Sequence, residues 1–392
     1  MQTLAALYYG WVLGVLGLLL VNFVLNLRVV PRLSTGSNLP SKPPMVSILV
    51  PARNEEVTIG RCLASLQAQD YPDYEVVLLD DQSEDRTADI ARKLGFEPGH
   101  EKFRFIAGEP LPPGWVGKPW ACHQLSQAAR GEFLLFTDAD TYHEPFALRA
   151  AMAQSLARNA DLLSVWPFQE TKTWSEKCVI PLLFVLSGAA TPLWLLDLAQ
   201  KRPALARFLG PKRCRNFGIA CGQYILFKRT AYDSIGGHAG IPNEIVEDIT
   251  LGRLIAQHTS EGKVVQNCDG THVVSTRMYQ SFSQLWEGFT KNLWPVVSGN
   301  VPFFVLGLAV QFLVMIFPIL LLISGGWSDP LALSAVALIY ILRFAIAINY
   351  RTSLLGTLLH PVGYALGIAM AINSFIRSHT GGVTWKGRAY RP

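Results

Sequence analysis

The sequence predicts an α/β domain with a parallel, doubly wound sheet, carried between membrane helices at the two ends of the chain. Three observations carry that expectation. Apolar runs at Met45–Val50, Tyr74–Leu79, Phe103–Ala107 and Phe133–Phe136 alternate with helix-patterned stretches, as strands and crossover helices do. Two of those runs end in paired acids, Asp80-Asp81 and Asp138-Ala139-Asp140, where open α/β sheets place their ligands. Finally, 50% of the residues are apolar and only 16% charged, and the apolar ones are concentrated at the ends.

Residues 1–30 come first. Leu4–Val30 carries no charge before Arg28 and is long enough to span a bilayer. No basic segment precedes it and no small-residue cleavage site follows a short apolar core, so it reads as a retained anchor and not a signal peptide. At the other end, in a membrane region of residues 296–376, Val301–Ile323 and Pro330–Asn349 are each long enough to cross. Leu354–Ile376, interrupted by His360-Pro361 and glycines, reads as re-entrant or interfacial. Arg28, Arg32, Lys42 and Arg53 follow the first span and nothing basic precedes it, which places the middle domain in the cytoplasm of a multi-pass cell-membrane protein. A third full carboxyl-terminal crossing would put the basic tail, residues 377–392, outside against the same rule. The net charge of +5 suits anionic headgroups and is too small to indicate nucleic acid. The six cysteines stand singly, with no zinc spacing and no disulfide framework, in keeping with a reducing compartment.

Residues 31–44 read as a linker and 45–295 as the catalytic domain. After the first strand, Pro51-Ala-Arg53-Asn54-Glu55-Glu56 opens into a helix reaching about Gln69, a geometry that offers free backbone N–H groups to an anion. No GxGxxG follows that strand and no GxxxxGK[ST] occurs, which excludes the usual dinucleotide and P-loop sites. Arg53 with acids at two strand ends suits a nucleotide gripped by carboxylates. Helix capping is the bland account of Asp80 and Asp81, and it explains one acid better than both; Ser83 or Asp85 is a candidate cap for the next helix. Residues i and i+2 of an extended segment project to one side, so Asp138 and Asp140 aim at a common point. Two hard oxygen ligands with room for phosphates suit Mg²⁺ or Mn²⁺ holding a diphosphate, with a solvated turn as the alternative for this motif alone.

Gly114-Trp115-Val-Gly117-Lys118-Pro-Trp120 leads into a helix, with Lys118 facing a phosphate and Trp115 and Trp120 lining a pocket. Residues 179–197 are apolar but broken by Pro181 and Pro192. A single crossing there would separate the DAD motif from the later acids, so the segment reads as an interfacial helix or shallow hairpin admitting a lipid. Gly222 and Gln223, on a glycine-punctuated loop feeding a strand, are assigned to the same pocket. Glu247-Asp248 opens an amphipathic helix. The macrodipole alone favours acids there, whereas the functional reading makes one carboxylate a general base. Gln284, Trp286 and Lys291 lie on a stretch that reads equally as a helix on the bilayer or as a wall of the pocket.

In this order, Pro51-Ala-Arg53-Asn54-Glu55, Asp80-Asp81, Thr137-Asp138-Ala-Asp140, Glu247-Asp248 and Gln284-Leu-Trp286 resemble the motif set of family 2 glycosyltransferases. The resemblance covers roughly residues 45–295. It implies a GT-A fold, a nucleotide-sugar donor, a divalent metal and inversion at the anomeric carbon. It also implies that Asp80 and Asp81 hold uracil and ribose, Asp140 ligates the metal with Asp138 assisting, and Asp248 is the base beside Glu247. The Gly114–Ala121 motif, the Trp286–Asn292 run and Thr384-Trp-Lys386-Gly-Arg388 are similar to carotenoid-acid, hopanoid-associated and ceramide glucosyltransferases. Lys386 and Arg388 are then expected to fold over the diphosphate. Where processive synthases carry QxxRW, this chain has Gln284-Leu-Trp-Glu287-Gly288, which argues against polymer synthesis. The expected activity is transfer of one sugar from a UDP-sugar, UDP-glucose foremost, to a carotenoid acid, hopanoid or sphingolipid. The alternatives are a processive polysaccharide synthase and a non-catalytic membrane interaction or transport protein. For transport, Arg343 and His360 are the ionisable groups within the spans.

Overall fold

The computed structural model describes residues 2–35, 39–297, 300–385 and 388–390. The chain divides into two compact units. One comprises Val29–Glu170 and Leu193–Arg277; the other comprises Met1–Arg28, Thr171–Pro192 and Met278–Pro392.

The first unit is built on a sheet of eight strands: β1 (Val46–Ala52), β2 (Tyr74–Asp80), β3 (Phe103–Ala107), β4 (Phe133–Thr137), β5 (Thr141–His143), β6 (Leu162–Gln169), β7 (Tyr224–Lys228) and β8 (Val265–Thr276). Their order is β3-β2-β1-β4-β7-β6-β8-β5. The expected parallel sheet holds for β3, β2, β1 and β4, and beyond them the pairing is mixed, with β6 and β8 parallel. β7 runs antiparallel to both β4 and β6, and β5 antiparallel to β8. The reason lies in the connection. The loop carrying Gly222 delivers the chain to the edge where β4 ends, so β7 starts opposite Thr137 and runs back to pair Lys228 with Phe133.

The apolar runs are continuous because helices cover both faces. Ile48, Val50, Val76, Leu78 and Leu135 enter one core with Ile59, Leu63 and Met152. Their neighbours Leu49, Val77, Leu79, Leu134 and Phe136 enter the other with Leu125, Leu251 and Ile255. At a far edge, Asp269 in β8 accepts from Arg32 Nε at 2.8 Å. Its backbone N–H and C=O pair with Pro31 O and Leu33 N, so the first residues expected to be a linker are tied to the sheet.

In the second unit, Gln2–Leu27, Val301–Gln311 continued through a π-helical turn to Phe317–Ile323, Pro330–Tyr350 and His360–Thr380 form the long helices. Among the described residues, four stretches are long and apolar enough to cross a membrane: Thr3–Leu27, Trp174–Lys201, Val301–Ile323 and Pro330–Tyr350. The second of these is interrupted. Thr191 is extended ahead of Pro192, and residues 185–190 form a π-helical turn. Side-chain amides of the first helix satisfy carbonyls at that break: Asn22 donates to Ala189 O at 2.6 Å, and Asn26 to Gly188 O and Thr191 O at 2.8 and 2.7 Å.

Arg343 is buried and aims its guanidinium at Pro181 O and Gly356 O, both at 3.4 Å, so it braces broken helices. The short helix Leu354–Leu358 packs on the Lys177–Cys178 backbone so closely that a Cβ at Gly356 would run into Lys177 O and lie 2.6 Å from its carbonyl carbon. We therefore expect Gly356→Ala to destabilise the detergent-solubilised protein by about 1–3 kcal/mol, read as a lower melting temperature. An unchanged melting temperature would show that this contact opens at little cost.

Candidate functional site

Because β2, β1 and β4 are parallel neighbours, with Ala52 opposite Asp80, their carboxyl ends share one edge. The acids at those ends are therefore gathered along it. Asp80 ends β2 with Oδ1 buried and without a hydrogen-bond partner among the described residues, while Oδ2 accepts weakly from Ser83 N at 3.4 Å. A buried carboxylate oxygen without a donor has unused capacity to accept an N–H or O–H. Asp81 is buried, and its N–H closes onto Ala52 O at 2.8 Å.

The loop after β1 differs from the sequence expectation. Its N–H groups are not free for an anion. Asn54, Glu55 and Glu56 donate to Ser83 Oγ, Thr87 Oγ1 and Asp85 Oδ2 at 3.0, 2.7 and 3.0 Å. Asn54 Oδ1 accepts from Glu84 N in return, and Arg53 Nη1 reaches Asp81 O and Gln82 O at 2.7 and 2.8 Å. Asn54 and Gln82 take positive φ of 52° and 57° to make this clasp. The polar loops of β1 and β2 thus satisfy one another, and the Pro51–Glu55 motif braces this end of the edge more than it offers donors. Neither candidate cap takes the N-cap position of the Thr87–Lys93 helix, which falls to Arg86 without a side-chain cap bond; Asp85 accepts from Thr87 N at 2.9 Å just ahead of it.

The centre of the site joins three stretches far apart in sequence. Lys118, in the first turn of the Gly117–Ala128 helix, places Nζ 2.7 Å from Asp138 Oδ1 and 2.8 Å from Glu247 Oε1. Asp248, next to Glu247 at the start of the Glu247–Gln257 helix, is held by two backbone donors: Gly222 N to Oδ2 and Ile249 N to Oδ1, both 2.8 Å. Gly222 packs closely there. A Cβ at that position would lie 3.0 Å from Asp248 Oδ2 and 3.2 Å from Lys118 Nζ. Burial, then the charge of Glu247, pushes Asp248 up to about 6, against the opposing pull of Lys118 and the two N–H groups. Burial also works against the charge on Lys118, but Asp138 and Glu247 outweigh it and hold the ammonium well above its ordinary value.

One lysine faces three carboxylates, so this cluster is net negative. Its charge favours a further cation beside it. No group of three or more His, Cys, Asp or Glu forms a metal cage among the described residues. That donor set fits a hard divalent ion held by one or two carboxylates and completed by phosphate oxygens and water. Asp138 keeps 29% of its side chain exposed and Glu247 only 7%, so of the two acids on Lys118 it is Asp138 that is open to a ligand.

Behind the acids lies a polar framework the sequence reading did not single out. Thr141 Oγ1 donates to Asp138 O at 2.7 Å, His143 Nε2 lies 2.9 Å from Thr141 Oγ1 and 3.1 Å from Thr137 Oγ1, and Thr137 donates to Gln223 O at 2.8 Å. Its sequence signal was the i, i+4, i+6 spacing of Thr137, Thr141 and His143 around the DAD turn. Gln223 differs from expectation: its side chain accepts from Gln169 at 2.8 Å and is buried, so it supports the wall and does not line the pocket. Trp115, Trp120 and His123 form a three-ring cluster with centroids 5.1 to 5.7 Å apart, half-buried beside Lys118, and Trp120 Nε1 donates to Glu109 O. Gln284 and Trp286 belong to the other unit. Gln284 accepts from Gln280 N at the start of the Phe282–Val296 helix, and Trp286 rests on Phe282. Lys386 lies outside the described residues, and Arg388 is described as backbone of a short strand, Arg388–Tyr390, paired with Val383–Trp385.

Residues 47–236 match the glycosyl transferase family 2. Over 355 residues the chain is 29% identical to a 4,4'-diaponeurosporenoate glycosyltransferase of Staphylococcus aureus (strain USA300), covering 88% of each protein. The corresponding protein of strain MRSA252 is 28% identical over 354 residues, with the same coverage. Among solved structures, a mannosyltransferase of Pyrobaculum calidifontis in complex with GDP-Man and Mn²⁺ superposes with a TM-score of 0.51 at 19% identity. The match covers 94% of this chain and 98% of that one. This last likeness is one of fold, the GT-A fold.

Proposed function

From the match of residues 47–236 to the glycosyl transferase family 2, we propose an inverting transferase that moves one sugar from a nucleotide-diphosphate sugar to a membrane lipid. UDP-glucose is the foremost donor, and the acceptor is a lipid hydroxyl or carboxyl group, as in a carotenoid acid, hopanoid or sphingolipid, at the cytoplasmic face. The observation that carries this reading is the meeting of Asp138, Lys118, Glu247 and Asp248 on one sheet edge. The lipid acceptor is supported by the apolar helices and by the relative named for a carotenoid acid. In this reading residues 45–295 carry catalysis, 1–30 and 296–376 hold the membrane, and 179–197 admit the lipid.

Asp80 and Asp81 take the base and ribose, with Arg53 and Asn54 holding the loop that shapes their surroundings. Asp138 and Asp140 would hold Mg²⁺ or Mn²⁺, which when bound supplies positive charge where the diphosphate departs. Lys118 sits within reach of the same phosphates. Asp248, fixed by Gly222 and Ile249, takes the proton from an acceptor hydroxyl as its oxygen bonds to the anomeric carbon. The bond from that carbon to the diphosphate breaks on the opposite side. Glu247 is buried and paired with Lys118, so it orients the lysine, and Asp248 is the better-placed base. With a lipid acid, already ionised, Asp248 orients the nucleophile instead.

The pH dependence follows from the raised value of Asp248. The base must be deprotonated, so transfer to a hydroxyl should be flat above about pH 6 and fall about tenfold per pH unit below it. A profile without that acid limb would remove Asp248 as the base. The reading as a whole is tested by transfer of labelled sugar from UDP-glucose, with GDP-mannose alongside, to a lipid panel by detergent-solubilised protein in Mn²⁺. A singly glycosylated lipid, lost on chelation, is the expected product. Long polymer would favour the processive alternative, and no transfer or donor binding would end the enzymatic reading.

A further inference from the structure

We propose that Lys118 is a positioning residue that occupies Asp138 until a nucleotide diphosphate arrives, and thereby couples metal binding to nucleotide binding. The inference rests on the reading of Asp138 and Asp140 as metal ligands. It goes beyond that reading by assigning the order in which the site fills.

The geometry is specific. The ammonium bridges Asp138 Oδ1 at 2.7 Å and Glu247 Oε1 at 2.8 Å, linking the helix of residues 117–128, the end of β4 and the helix of residues 247–257. A lysine ammonium has three donors and is a compact point charge on a flexible stem. A divalent ion on Asp138 would therefore meet a carboxylate already engaged and a like charge beside it. Without nucleotide, lysine and metal oppose one another at the same carboxylate.

A diphosphate changes both sides of that competition. It offers Lys118 another anionic partner, releasing Asp138, and it offers the metal further oxygen ligands. Glu247 keeps the lysine anchored during the exchange, because that pair is the buried one. Gly222 leaves the flank of Asp248 clear, where any side chain would press on the ammonium.

Coupling of this kind is reciprocal and is measured as a ratio. The test is the Mn²⁺ dissociation constant of the full-length protein in detergent, read from the free-Mn²⁺ electron paramagnetic resonance signal with and without UDP. The expected result is that Lys118→Met binds Mn²⁺ about tenfold more tightly than wild type in the absence of UDP. The factor by which UDP tightens Mn²⁺ should shrink by about tenfold or more. Lys118→Arg, which keeps a cation at the position, should retain weak unassisted binding, and Lys118→Gln provides a second neutral side chain should the Met variant melt early. A neutral variant whose UDP-induced factor equals that of wild type overturns the inference, because a purely structural lysine alters stability and not the ratio. Wild type that fails to bind Mn²⁺ even with UDP overturns the metal reading itself, and the inference with it.

Discussion

Asp248→Asn should lower the turnover of a hydroxyl acceptor by about 10²–10⁴-fold while leaving the affinity for the nucleotide sugar close to wild type. The carboxylate stands between two backbone donors, Gly222 N and Ile249 N, each 2.8 Å from a different oxygen. Both hold the group still and leave lone pairs for the acceptor proton. An asparagine has one acceptor oxygen, so its amide must face one of those N–H groups, at a cost in stability of about 1–3 kcal/mol. Single-turnover transfer well below the melting temperature separates this cost from the chemical one. Glu247→Gln is the informative companion. It breaks the 2.8 Å pair with Lys118 and so should raise KM for the donor more than it lowers kcat. If Asp248→Asn keeps more than about a tenth of the hydroxyl-transfer rate, the base lies elsewhere. A variant crippled with a lipid alcohol and little changed with a lipid acid would instead identify the acceptor class.

Much of this arrangement was legible in the sequence, for reasons that differ from part to part. The strands β1, β2 and β4 were readable because burial on two faces forces uninterrupted apolar runs, and their acids because a run ending in carboxylates has little use for them inside a core. Strand direction was not readable. Nothing in the continuous apolar run of Tyr224–Phe227 distinguishes a strand running with Phe133–Thr137 from one running against it. β6 and β8 escaped notice because Ser164, Trp166, Gln266 and Asn267 break their apolar pattern, although Ser164, Gln266 and Asn267 are buried with their polar groups satisfied. The loop after β1 was misread for a related reason. Sequence shows that a strand opens into a helix, but not that Ser83, Asp85 and Thr87 from the neighbouring loop already accept its N–H groups. The contact between Lys118 and Glu247 spans more than half the domain and has no local signal at all.

Asp140→Asn should be the most damaging change to metal dependence, and the framework behind it explains why a neighbour should be milder. His143 is buried and burial pulls it down to about 3, so it is neutral at any working pH and holds Thr137 and Thr141 without adding charge to the acids. Thr141 in turn fixes the carbonyl of Asp138, which sets the turn carrying both carboxylates. Removing the Thr141 hydroxyl loosens a ligand without deleting it. Supporting groups of this kind typically cost 10–100-fold in metal affinity, so Thr141→Val should lose about that much and recover its rate at high Mn²⁺. Asp140→Asn removes a negative oxygen from the site, so its loss should exceed about 100-fold and should not be recovered by Mn²⁺ at any concentration the protein tolerates. Titrating Mn²⁺ against transfer rate distinguishes the two. If Asp140→Asn recovers as Thr141→Val does, Asp140 acts through the turn and not on the ion, and the ligand role passes to Asp138 alone. That outcome would sharpen the competition between the ion and Lys118, since both would then depend on a single carboxylate.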